Sequence, residues 1–464
     1  MTTFAYRKLY RLFLIALSFP AVHLHAQDKK YSLHALTDSA RSFAPSLLEK
    51  QSLLKAADAT VRDTRNSFLP SLKLSEQVNL GTDNSLAGSY FTYGITPSTS
   101  AGVRSENDLQ AATGNFGILS GQYELYNFGL KNAKVENAQS YAGLQRADLQ
   151  REEYLITSSV ARLYFTILKN EYRLSVDRQN IDRYKEIFTI ISALTSSGIN
   201  AGVDSSLAKA ELSQTIISYN QTKGKINELL EQLSFFTGIP SSRLVIDTVG
   251  HDFIRSNPSP QLFNDDTINN PVLNYYLRYQ DIFITTDKVI RKSCLPKILL
   301  NSAVWLRGSS IQYNDEYKSL ATGLGYQRFN YVAGIALSYD LFNGVHRKDK
   351  LIINRYQQQA ARAQLQQQKS LLSSVSNQAD QSLLTIQANL QELPVQLSAA
   401  EATYRQKLAQ YKAGIISLID LTNASFVFYR SQIDFIEARS DWYLAQVDKA
   451  EATGNLFQFI NSIN

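Results

Sequence analysis

The residues of this chain that could do chemistry are scattered. Histidines stand at His34, His251 and His346, with two more near the start, and the single cysteine is Cys294. No Walker phosphate loop, no nucleophile elbow and no closely spaced His/Cys set occurs, so the sequence carries no catalytic or metal-binding motif and calls for no cofactor. One cysteine excludes an internal disulfide. The only methionine is Met1, which excludes a thioether ladder for soft metal ions. What remains are acids. Asp204 lies six residues after Gly198 and four before Ala208; Asp420 stands in the same relation to Gly414 and Ala424. An acid just after a turn glycine suits a helix start, where its carboxylate satisfies free backbone N–H groups. Asn170 and Asp177 sit inside a long apolar seam. There a polar residue either sets the register of packed helices or faces an aqueous lumen, and the first is commoner.

The recurrence of the glycine–acid pattern belongs to a larger one. Pro45 and Pro271 are 226 residues apart, as are Leu69-Pro70 and Leu295-Pro296. The offset then becomes 216. Tyr123-Glu124-Leu125-Tyr126-Asn127 matches Tyr339-Asp340-Leu341-Phe342-Asn343, and Thr237-Gly238 matches Thr453-Gly454. Repeats this long are not a solenoid, whose units run about 20–50 residues. They imply a duplicated unit, and the change of offset marks the segment free to vary between copies. Expected divisions are 27–239 for the first unit, 240–269 for a linker and 270–464 for the second unit with its tail.

Residues 1–26 carry Arg7, Lys8 and Arg11, the apolar run Leu12 to Phe19, and Ala26 before Gln27. A basic start, an apolar middle and a small residue at the cut are the pattern of a signal peptide, and the run is too short to span a bilayer. Removing three basic residues lowers the formal charge from +6 to +3. That balance gives no basic patch for nucleic acid.

Within each unit the patterns alternate between two periods. Pro45 to Ser67 reads as a helix ended by Pro70. Ser71 to Gly81 follows with Leu72, Leu74, Val78 and Leu80 on one side and Lys73, Ser75, Gln77 and Asn79 on the other. Glu76 is the exception on the apolar side. About eleven residues of period two suit one tilted membrane strand. Residues 82–113, rich in Gly, Ser, Thr and Asn, read as an exposed loop. Asn115 to Tyr126 reads as a second strand with weaker alternation. The second unit repeats the pair with Lys297 to Arg307 and Asn330 to Leu341, joined by residues 308–329. On the last strand Tyr331, Ala333, Ile335, Leu337 and Tyr339 share a face. Alternation alone also fits a soluble sandwich, but strand pairs separated by such long helices argue against one.

Each strand pair leads into a very long helix. Asn132 to Leu194 spans roughly 90–100 Å at 1.5 Å per residue. Its seam steps by four and three through Ile156, Val160, Leu163, Ile167, Asn170, Leu174, Asp177, Ile181, Tyr184, Phe188 and Ile191, which is a coiled-coil signal. Leu212, Ile216, Tyr219, Lys223, Ile226, Leu230 and Leu233 continue it on the return. The second hairpin runs out over Lys348 to Ala413, with a kink expected near Pro394, and returns through Ala424, Phe428, Ser431, Phe435, Ala438, Trp442 and Ala445. Gly198, Gly202 and Gly414 make the turns.

Four membrane-length strands per chain cannot close a barrel, since about eight are needed, and lipid does not tolerate open strand edges. The chain is therefore expected to oligomerise. A trimer supplies twelve strands, continued by the hairpins as a coiled-coil tube: an α+β membrane protein of duplicated build.

This layout resembles the TolC-like outer membrane factor family, from about Tyr31 to the end. The segments carrying the resemblance are Tyr123 to Gly129 and Tyr339 to Gly344, and the tips Gly198 to Ala208 and Gly414 to Ala424. The resemblance implies a trimeric outer-membrane duct whose helical tunnel projects into the periplasm and docks a periplasmic adaptor and, through it, an inner-membrane pump. It implies a passive protein and not an enzyme. It also implies that acids on the inner return helix ring the periplasmic entrance. Asp420 falls on the first such position and Asn423 on the second, which thins the ring. Ile416 stands where some relatives hold a basic residue, so closure is expected to rest on Ile415, Ile416, Leu418 and Ile419. The tips at Gly198, Gly202, Asp204, Gly414 and Leu418 are the expected adaptor contacts. A periplasmic coiled-coil adaptor, which also uses long hairpins, is the competing reading; adaptors usually carry one hairpin flanked by compact β domains.

Overall fold

The computed structural model describes residues 30–85, 103–198, 201–247 and 269–463. The expected signal peptide, and parts of the first loop and of the linker, lie outside the described residues. The chain divides into two compact units, each drawing on both halves of the sequence: residues 46–152 with 268–371, and residues 1–45 with 153–267 and 372–464.

The first of these holds the sheet. Helix α2 (Pro45–Asn66) leads into β2 (Ser71–Gly81) and β3 (Ala112–Tyr126), and α5 (Pro271–Ser293) into β5 (Lys297–Ser309) and β6 (Arg328–Ser338). Asn270 caps α5 by accepting from the Val272 amide at 2.9 Å. The strands are antiparallel in the order β2-β3-β5-β6. Their register lines up one apolar face. Leu74 pairs with Leu119, Leu119 with Val304 and Val304 with Tyr331; Tyr123 pairs with Leu300 and Leu300 with Ile335. The opposite face carries polar rows such as Ser71, Gln122, Asn301 and Gly334. Leu72, Leu74, Tyr331, Ile335 and Leu337 are all exposed in the single chain. Among the described residues no helix is long and apolar enough to cross a membrane. Strand β6 ends three residues earlier than expected. Asp340 turns the chain there, its carboxylate accepting from the Phe342 amide at 3.0 Å.

The other unit is helical. It contains α1 (Leu33–Phe43), the later part of α3 (Leu130–Ser196), α4 (Gly202–Thr237), the later part of α6 (Asn343–Lys412), α7 (Leu418–Thr453) and α8 (Leu456–Ser462). Two-residue strands β1 (Lys30–Tyr31) and β4 (Val245–Ile246) pair in parallel beside them. Helix α6 runs unbroken through Pro394. None of the eleven expected seam positions of α3 is exposed. The expected seam of α4 holds at Ile226 and Leu233, which are buried, and at Leu212, Tyr219 and Leu230, which are half-buried. It misses at Ile216 and Lys223, which are exposed beside buried Thr215 and Thr222. The threonines can be buried because their hydroxyls are satisfied, Thr215 on the Leu212 carbonyl at 2.8 Å and Thr222 on Asp177 at 2.6 Å.

Between α3 and α7 runs a ladder of charge. Arg162 pairs with Asp448 and Glu451, Lys169 with Asp441 at 3.8 Å and Arg173 with Glu437 at 3.6 Å. Tyr154 of α3 also donates to the Ala450 and Glu451 carbonyls, at 3.1 and 2.8 Å. Below the ladder Asp177 is buried and accepts from Thr222 of α4 and Tyr429 of α7, each at 2.6 Å. Register setting by a polar seam residue thus becomes a bond among three helices.

Candidate functional site

The ends of the long helices meet at two tips. Helix α6 stops at Gly414, in the left-handed region with φ 72°. The Gly414 amide donates to the Tyr411 carbonyl and the Ile415 amide to the Gln410 carbonyl, both at 2.9 Å. This pairing satisfies the last carbonyls and needs a residue free of a Cβ clash at the left-handed position. Gly198 takes the same left-handed conformation at the end of α3, with φ 76°, its amide donating to the Thr195 carbonyl at 3.1 Å. Gly202, in contrast, is the first residue of α4 and takes no left-handed conformation.

The two helix starts differ. Ser417 caps α7: its hydroxyl accepts from the Asp420 amide at 3.3 Å, and the Asp420 carboxylate accepts from the Ser417 amide at 3.3 Å and its hydroxyl at 2.7 Å. This is a reciprocal capping box. Asp420 is thus the third helical residue and not the cap itself. These bonds from the Ser417 hydroxyl and amide, with Lys407 nearby, hold the Asp420 carboxyl below the usual carboxylate range. The cap is therefore complete above the ordinary carboxylate pKa and is lost only as pH falls through the lowered value. On α4 the cap position is Ala201, which offers no side-chain bond. Asp204 sits at the third helical position, as Asp420 does on α7, and so is not itself the cap residue. There its charge complements the positive end of the helix dipole.

Asp420 and Asn423 line one groove between α6 and α7, together with Gln396, Thr403 and Lys407. Asp420 is exposed there. Lys407, thirteen residues upstream on the facing helix, went unnoticed in the sequence; no local spacing marks it. The apolar residues expected to close the tip divide within the single chain. Leu418 is buried in a core with Tyr184, Ile187, Ile191, Tyr411 and Leu421, and Ile416 packs against that core. Ile415 and Ile419 are exposed, at 71% and 60%. Lys412 adds an ion pair from this tip to Glu186 of α3 at 2.8 Å.

A membrane-type antiparallel sheet combined with paired, very long helical hairpins defines the class of outer-membrane channels with a helical barrel. The family model of the outer membrane efflux protein matches residues 36–238 and 309–455, and the chain belongs to that family. It is an outer-membrane protein of a channel family. No curated protein sequence matches the chain. Solved structures agree in fold. The outer-membrane channel OprN has a TM-score of 0.72 at 18% identity, covering 91% of this chain and 90% of its own. The outer membrane protein VceC of Vibrio cholerae has a TM-score of 0.72 at 15% identity, covering 91% and 96%. The outer membrane channel CmeC of Campylobacter jejuni has a TM-score of 0.71 at 16% identity, covering 91% and 86%.

Proposed function

We propose that the chain is one subunit of a passive exit duct through the outer membrane. Three copies close a twelve-stranded barrel, and their hairpins form a tunnel in the periplasm. There the tunnel meets an adaptor protein that joins it to an inner-membrane transporter. The observation that carries this reading is the sheet. It has four strands, one largely apolar face and two outer strands, β2 and β6, with no partner strand on their free sides among the described residues. Lipid does not tolerate open edges, and the β2 edge of a second copy is the natural partner for β6. The exposed Ile216 and Ile217 of α4 offer the matching surface on the helices. The protein should fractionate with outer membrane and run as a trimer on an unboiled gel, collapsing to 52.1 kDa or slightly less on heating. Monomer in the soluble or inner-membrane fraction would overturn the duct in favour of a periplasmic adaptor.

In this reading the tips at Gly198, Gly202, Asp204 and Gly414 face the adaptor, and buried Leu418 holds its tip in shape. Asp420, from each of three copies, rings the entrance. A multivalent cation meets several carboxylates at once and binds them better than a monovalent one. Multivalent cations added on the periplasmic side should partly block the reconstituted trimer. Asp420→Asn should relieve the block, and Lys407→Gln, which removes a nearby positive charge, should deepen it. Asp204→Asn should leave it intact. Equal effects of Asp420→Asn and Asp204→Asn would remove Asp420 from the entrance.

A further inference from the structure

One acid interrupts the apolar face of the sheet, and the structure gives it a hydrogen-bond partner. Glu76 points to the same side as Leu74 and Val78, in a row with Gly117, Leu306 and Phe329. The Tyr326 hydroxyl donates to its carboxylate at 2.6 Å. Tyr326 belongs to the connection between β5 and β6, residues 310–327. This connection does not simply stand off the end of the sheet. Its later part turns back and lies across the apolar face, over β5 and β3.

The contacts fix that placement. Thr113 donates through its hydroxyl to the Leu320 carbonyl at 2.5 Å, and Asn115 through its amide to the Leu324 carbonyl at 2.8 Å. Thr113 and Asn115 share the face of Gly117 and Leu119, by strand alternation. A Cβ on Gly308 would fall 1.9 Å from the Gly325 carbonyl oxygen, and one on Gly117 would fall 2.7 Å from the Tyr326 hydroxyl. Both positions are bare so that the segment can lie flat. Its outer surface presents Leu320, Leu324 and Tyr326, which are 44%, 51% and 48% exposed. The tip that precedes it is polar. Asp315 there pairs with Arg104 at 2.7 Å, and Lys318 donates its amide back to the Ser310 carbonyl at 2.8 Å.

We propose that residues 319–327 form an apron resting on the outer leaflet of the bilayer, with Leu320, Leu324 and Tyr326 in the interfacial layer. The inference depends on the reading that the apolar face of the sheet meets lipid. Two observations point to lipid as the occupant. The apron's exposed apolar side chains lie at the end of the sheet that carries exposed Phe329, separated from it along the chain by Gln327 and Arg328. Tyrosine suits the interface because its ring is apolar and its hydroxyl polar. A carboxylate facing lipid alone would be costly. In this placement Tyr326 gives the exposed Glu76 carboxylate a hydrogen-bond donor, while the Asp315 tip stays in water.

The test uses full-length trimer in vesicles, in a Cys294→Ser background carrying one new cysteine labelled with an environment-sensitive fluorophore. Labels at Leu320→Cys and Leu324→Cys should be quenched by shallow nitroxide lipids, and several-fold less by aqueous iodide than a label at Asp315→Cys. A label at Leu337→Cys reports the strand face itself. If Leu337→Cys is lipid-quenched while Leu320→Cys and Leu324→Cys respond to iodide as Asp315→Cys does, the apron is wrong and the lipid face stands. If Leu337→Cys also escapes lipid quenching, the face has been assigned backwards. Tyr326→Phe, which removes the bond to Glu76 but keeps the ring, should raise iodide access at Leu324→Cys; no change would deny Tyr326 its holding role.

Discussion

Arginine at Ile335 lowers the stability of the membrane-inserted trimer by about 2–4 kcal/mol, the cost of a lipid-facing charge near the bilayer midplane. Ile335 pairs with Leu300, which pairs with Tyr123, so the new guanidinium would stand in the middle of an apolar row. The next residue behaves differently. Gly334 lies in the row of Asn301, Gln122 and Ser71 on the opposite face, and a Cβ there meets nothing within 4 Å. Gly334→Arg has polar neighbours and room, so it should leave the trimer intact and narrow the lumen instead. Heat resistance of the unboiled trimer reads the first effect and single-channel conductance the second. Equal losses of trimer from both substitutions would mean that neither face meets lipid.

Much of this fold is legible because two strong periods alternate along the chain. Ser71–Gly81 emerges with its bounds intact because its apolar residues all point one way, and proline closes the helix before it. Strand β3 reads poorly for a local reason. Its apolar-face positions include Gly117, bare beneath the apron, and Gly121, where a Cβ would meet the Ser302 hydroxyl at 2.8 Å. Contacts made by distant segments erased the alternation. The seam of α4 misleads for the opposite reason. Thr215 and Thr222 look polar in sequence but are buried, and the isoleucines beside them face outward. A periodicity of apolar residues cannot tell the chain's own core from a surface kept for another copy. At the tips, Ser417-x-x-Asp420 is a legible capping pattern, whereas the same spacing before Asp204 puts Ala201, whose side chain cannot cap, at the cap position. The charge ladder has a spacing of its own, which the apolar seam alone does not reveal. Arg162, Lys169 and Arg173 step by seven and four on one helix, and Glu437, Asp441 and Asp448 step by four and seven on its partner.

Removal of the Asp177 carboxylate should cost several kcal/mol in the helical unit, although it touches neither membrane nor entrance. It is buried, and both of its oxygens accept from hydroxyls on other helices, Oδ2 from Thr222 and Oδ1 from Tyr429. Tyr429 keeps its proton, since burial and the bond to Asp177 both push its phenol up. Asp177→Ala would leave the buried Thr222 hydroxyl without this acceptor, at roughly 1–3 kcal/mol, and the half-buried Tyr429 hydroxyl with only Ser218 at 3.4 Å, beside the packed cluster of Val176, Ile433 and Ile436. Asp177→Asn retains one acceptor oxygen and should cost less. Tyr429→Phe removes one donor and leaves the Thr222 bond, so its cost should be smaller again. Because the groups share one network, Asp177→Ala and Tyr429→Phe together should cost clearly less than their sum. Denaturant midpoints of the solubilised trimer measure all four variants, and strict additivity would show that no such network exists. The consequence reaches the entrance through α7. That helix begins at the Ser417–Asp420 cap and is fastened to α3 and α4 at Tyr429. Loosening the fastening should free the tip that carries Asp420, and Asp177→Asn, if it still folds as a trimer, should raise open-channel conductance.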